Sequence, residues 1–171
     1  MNNYILKLFE EFKRRDLIYC HFKSNNNLEP ALNGVDDLDL LIDTKDIDLF
    51  NEIISKLGFR MGIDRGHEPM PFIYHYFGCD LETGLIVHLH VYFKLVTGGS
   101  IFKNHWIRAE KMFLANVRLD PDTGGKVFIP SAEADCILFV IRKLIEQPSL
   151  VEHFLFLRDW ENINLELLWL L

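Results

Sequence analysis

Cysteine is scarce in this chain: Cys20, Cys79 and Cys136 are the only three, scattered and without any C-x-x-C spacing. Nothing in that pattern builds a disulfide framework, and with no apolar stretch of signal-peptide type at the N-terminus the expected setting is a reducing cytoplasm. Positive charge is also sparse. No basic run exceeds Lys13, Arg14 and Arg15, and the formal charge is −7. A surface that follows long nucleic acid needs clustered lysine and arginine, so long nucleic acid is not an expected partner, whereas a small substrate is. The most apolar runs, around Ile137 to Ile145 and Leu165 to Leu171, are too short or too interrupted to span a bilayer, which excludes a membrane partner of that kind. There is no repeat and no low-complexity segment.

What the chain does have is bulk. Of 171 residues 49% are hydrophobic, and 14 Phe, 5 Tyr and 3 Trp supply enough apolar surface for a core. The length suits one domain, here residues 1–130, with a helical C-terminal portion, 131–171, packed on it. The apolar end at Leu165 to Leu171 would be buried against the domain, meet a second copy in a homodimer, or continue into a longer natural chain.

Periodicity gives the elements. Asn2 or Asn3 caps a first helix whose Ile5, Leu8, Phe9 and Phe12 recur at helical spacing, and a strand follows from Tyr19. Thr44 is a plausible N-cap for a second helix with an apolar stripe at Ile47, Phe50, Ile53, Ile54 and Leu57, ended by Gly58. Another strand is expected near Phe59 to Ile63. Phe72 to Cys79 and Leu85 to Leu95 read as a hairpin, its second strand placing Val87, Leu89, Val91 and Phe93 on one face and His88, His90, Tyr92 and Lys94 on the other. Residues 101–117 fit a short helix or a packed loop. A short strand, Val127 to Ile129, precedes a helix capped by Ser131. The fold class is α/β (α+β): a small, mixed, twisted sheet flanked by helices, chiefly on one side, with a helical C-terminal portion.

The stretch CHFKSNNNLEPALNGVDDLDLLID, Cys20 to Asp43, carries the chemistry. In a strand alternate side chains share a face, so Asp37 and Asp39 project together while Leu38, Leu40 and Ile42 enter the core. Two neighbouring carboxylates repel unless a cation lies between them, and Mg2+, which prefers oxygen ligands, suits the pair; Mn2+ is the substitute. The plainer alternative is a solvated acidic edge beside a buried strand. On the hairpin, His88 and His90 share a strand face and could serve as metal ligands, general bases or acceptor-binding groups. Arg65 and His67, in the loop Asp64 to Pro71, could reach a substrate phosphate.

A strand ending in a small hydroxyl residue, a connector, then D-x-D followed by apolar residues resembles the nucleotidyltransferase fold of DNA polymerase beta and of the aminoglycoside and lincosamide nucleotidyltransferases. The wording F-K-S-N-x-x-L, then G-x-x-D-L-D-L-L-I-D, is similar to a group of small bacterial nucleotidyltransferase-like proteins, over about the first hundred residues. The resemblance implies that Lys23 and Ser24 stand at the loop that holds a nucleoside triphosphate, with Lys23 where the family has glycine. It implies that Asp37 and Asp39 bind metal, and that His88, in V-H-L-H-V, stands where a third carboxylate would be. The implied activity is transfer of a nucleoside monophosphate to a hydroxyl of a small acceptor, with His88 or His90 receiving the proton. Two other readings stay open: a nucleotide-binding or regulatory module that has lost chemistry, and a metallohydrolase in which His88, His90 and an aspartate bind Zn2+ or Mn2+.

Overall fold

The computed structural model describes residues 1–63, 70–97 and 105–145, without the side chains of Asn26 and residues 143–145. Arg65, His67, the helical portion beyond residue 145 and the apolar terminus with its homodimer reading lie outside the described residues.

Helix α1 (Asn3–Arg14) starts where Asn2 accepts hydrogen bonds from the Tyr4 and Ile5 backbone, so the cap expected at Asn2 is made. Asp16, at φ 52, turns the chain into β1 (Tyr19–His21). A 3-10 turn, Asn25–Asn27, and a short helix α2 (Glu29–Leu32) then lead to β2 (Leu38–Ile42). The next helix starts differently from the expectation at Thr44. The Asp43 side chain accepts from the Lys45 backbone at 3.1 Å and opens a 3-10 turn at Thr44–Asp46, which runs into α3 (Ile47–Lys56). A carboxylate one residue upstream of Thr44 is free to cap the tighter turn, so Thr44 lies inside it.

Strands β3 (Arg60–Met61), β4 (Ile73–Cys79) and β5 (Ile86–Tyr92) complete a five-stranded sheet in the order β1-β2-β5-β4-β3. Its one parallel pair is β2 with β5, and the other three are antiparallel, which makes the sheet mixed. The hairpin is therefore present, but its second strand stops at Tyr92 and does not run to Leu95. The chain bends at Phe93 and Lys94, and β6 (Leu95–Thr97) pairs instead with β7 (His105–Ile107) in a separate ribbon. Helix α4 (Glu110–Ala115) is the short helix allowed for in 101–117. Strands β8 (Val117–Leu119) and β9 (Phe128–Pro130) form a second ribbon, and α5 (Ala132–Ile145) follows with Ser131 Oγ accepting from the Ala134 backbone.

Both faces of the sheet carry helices, which corrects the expectation that they lie chiefly on one side. Ile5, Leu8, Phe9 and Phe12 of α1 and Phe50, Ile53 and Ile54 of α3 pack with Leu38, Leu40, Ile42, Val87, Leu89 and Val91 on one face. On the other, Phe113 and Leu114 of α4 and Ala134 and Leu138 of α5 meet Cys20, Phe22, Leu41, Ile73 and Tyr92. The reason is local: Leu41 and Tyr92 are apolar on the face opposite Leu40 and Val91, and each such side chain, fully buried, contributes about 1.5–3 kcal/mol. Toward the start of β2 that second face turns polar at Asp39, His90 and His88. Among the described residues, none of the helices is long and apolar enough to cross a membrane.

Candidate metal centre

The polar end of the second face is set by register. β2 and β5 run parallel with Asp39 opposite His90, so both side chains rise from the same surface. Asp37 stands just before the strand, two positions earlier and on that side as well. The His90 Nδ1 lies 3.1 Å from Asp39 Oδ1 and 3.4 Å from Asp37 Oδ2. Carboxylate oxygens of Asp37 and Asp39 and a ring nitrogen of His90 all fall within 4.8 Å of one another. His88 is farther out, its Nδ1 3.9 Å from Asp37 Oδ2.

Lys23 reaches the same place from the end of β1. Its Nζ is 3.5 Å from Asp39 Oδ1, donates to the Tyr92 hydroxyl, and sits 4.1 Å from the centroid of that ring. The Tyr92 hydroxyl in turn is 3.2 Å from His90 Nδ1. Ser24, the next residue, is exposed in the left-handed region at φ 54, which is uncommon for a residue with a Cβ and tightens the chain into the turn that follows. The structure thus gathers Asp37, Asp39, His90, His88 and Lys23. It sets Ser24 one residue along, at the rim.

Charge explains the titration of this group. Contact with His90 is the main reason the Asp37 carboxyl is held well below the usual range. Burial pushes Asp39 upward, but the neighbouring His90 and Lys23 outweigh it and the carboxyl is lowered. Burial likewise pulls His90 down, while Asp37 and Asp39 together raise it. Although His90 Nδ1 is close to Asp39 Oδ1, no donor is aligned on that oxygen, and it is buried without a hydrogen bond. A buried carboxylate oxygen with a lone pair to spare is what a cation ligand needs, so the donor set fits a divalent ion such as Mg2+ or Mn2+.

Two residues outside the sequence-based candidate set also belong here. His75, on β4, lies directly across from His90, and its Nδ1 is 2.9 Å from His88 Nε2. The signal for it was the hairpin itself, whose pairing places the odd-numbered residues of β4 beside the histidines of β5. His21 is fully buried; its Nδ1 is 2.9 Å from Asn25 Oδ1, and Asn25 Nδ2 is 3.4 Å from Asp135 Oδ1 at the start of α5. That chain of contacts fixes the turn carrying Ser24.

No protein-family model, curated protein or solved structure matches this chain.

Proposed function

We propose that this chain is a Mg2+-dependent nucleotidyltransferase, moving a nucleoside monophosphate from a nucleoside triphosphate to a hydroxyl of a small acceptor and releasing pyrophosphate. The observation that carries the reading is the convergence of Asp37, Asp39 and His90 within 4.8 Å, with Asp39 Oδ1 buried and without a hydrogen bond. A second support is layout: a hydroxyl-bearing turn after β1, the acids on the neighbouring β2, and the imidazoles on a strand parallel to β2.

In this reading Asp37 and Asp39 hold the ion, which when bound supplies positive charge to the phosphates. Ser24 and the backbone N–H groups of its turn grip the triphosphate, and Lys23 adds a point charge beside them. His90 accepts the proton of the acceptor hydroxyl. The hydroxyl oxygen bonds to the α-phosphorus, the bond from that phosphorus to the bridging oxygen breaks, and pyrophosphate leaves with the electron pair. Asp37 and Asp39, both facing Nδ1, orient the imidazole so that Nε2 is left to take the proton.

The test is metal-dependent pyrophosphate release over a panel of nucleotides and hydroxyl acceptors. Asp37→Asn with Asp39→Asn should abolish release, and His90→Gln should lower kcat by about 10²–10⁴-fold while nucleotide still binds. Nucleotide binding with no release from any acceptor would favour a second reading, a binding module without chemistry. One observation leans that way: the Lys23 ammonium, 3.5 Å from Asp39 Oδ1, already gives that carboxylate a cationic partner.

A further inference from the structure

The exposed part of the sheet face beyond the acids holds a row of parallel rings. Phe77 stacks on His88 with centroids 4.6 Å apart and planes 10° apart, His75 on His88 at 5.1 Å and 24°, and His75 on His90 at 4.5 Å and 18°. Where the edges of His75 and His88 meet, Nδ1 of one and Nε2 of the other are 2.9 Å apart. No carboxylate takes part in that meeting point, which separates it chemically from the oxygen-rich pocket of Asp37 and Asp39.

We propose that His75 and His88 form a second cation site, made of nitrogen donors and suited to Zn2+, beside the carboxylate pocket. Imidazole selects borderline ions such as Zn2+ over Mg2+, which requires oxygen. The two nitrogens share one proton in a 2.9 Å hydrogen bond, and Zn2+ takes its place, releasing the proton to solvent. With Zn–N bonds of about 2.0–2.1 Å, a tetrahedral angle sets two ligand nitrogens roughly 3.4 Å apart, so the rings part by about half an ångström. The strand pairing of β4 and β5 holds both backbones, and the flanking Phe77 and His90 rings hold both planes.

On its other side His88 Nδ1 is 3.9 Å from Asp37 Oδ2, too far for a hydrogen bond, so that carboxylate acts on the ring through its charge. Two protein ligands leave the remaining positions of a four-coordinate ion to water or substrate. Such an ion would bring positive charge next to the acid pair from a nitrogen-bound site. The proposal does not depend on nucleotidyl transfer.

The experiment is a chelator-competition titration of the full chain with Zn2+ in millimolar Mg2+, which keeps the carboxylates occupied by the harder ion. Wild type should take up about one equivalent of Zn2+. His75→Phe, which keeps a ring in the stack, and His75→Gln, which keeps polarity at this exposed position, should each weaken binding at least about tenfold. Asp39→Asn should leave Zn2+ binding in place. Absence of Zn2+ uptake would overturn the proposal, as would uptake unchanged in both His75 variants. A loss in Asp39→Asn equal to that in the His75 variants would also overturn it, because the ion would then sit among Asp37, Asp39 and His90.

Discussion

At the scale of single residues, His21 is the clearest case of burial setting a protonation state. Its ring is enclosed, and desolvation lowers its pKa against the opposing pull of Asn25 and the two aspartates. The unfolded chain takes up that proton near pH 6.5 and the folded chain only below it. A group with a depressed folded pKa gives its full contribution above the unfolded value, and that contribution drains away as pH falls below it. Wild type should therefore lose part of its stability advantage over His21→Phe between pH 7.5 and pH 5.5, measured by chemical denaturation. An advantage that does not change with pH would contradict a neutral His21. Asp37 and Asp39 were legible in the sequence because a strand's alternation is a local rule. His75 needed one step more, since the hairpin was legible but not the register that sets His75 across from His90 and beside His88. Nor was the ranking of the two β5 histidines: His90, not His88, is the one opposite Asp39, and a register between strands some fifty residues apart leaves no mark on either strand alone.

Elements show the same division between local and distant causes. The apolar stripes of α1 and α3 and the alternation of β5 each arise within one window, and those elements stand where the periodicity puts them. The early end of β5 has a distant cause, because Leu95 to Thr97 has its partner in His105 to Ile107, and that ribbon draws the chain out of the main sheet. Packing between elements gives a test of its own. At Gly78, the last residue but one of β4, a Cβ would come 2.7 Å from the Phe59 ring and would also strike the Tyr4 hydroxyl. Tyr4 is held by a hydrogen bond to the Leu57 carbonyl and a ring stack on Phe59, so neither side can yield freely. Gly78→Ala should destabilise the fold by about 1–3 kcal/mol in urea denaturation, despite the higher strand propensity of alanine. An unchanged midpoint would mean that α1 and β4 are not in close contact here.

For the whole molecule, the decisive feature is that one sheet has two unequal faces. The first is covered by α1 and α3 along its length. Among the described residues, the second meets α4 and α5 at Cys20, Leu41 and Tyr92, and toward the start of β2 it carries charged and imidazole side chains. The amphipathic pattern foretold a mixed sheet with helices but not helices on this second face, because α4 and α5 reach it through two small ribbons whose strands, three residues each, are too short for an alternation to show. That polar end, with Asp37 and Asp39, is where the proposed divalent ion and triphosphate would bind. Isothermal calorimetry with Mg2+ and each nucleoside triphosphate tests this most directly, comparing wild type with the Asp37→Asn, Asp39→Asn double variant. The account predicts Mg2+-dependent binding of at least one triphosphate by wild type, and its loss in the double variant. Equal binding by the two proteins, or none by wild type, would contradict it.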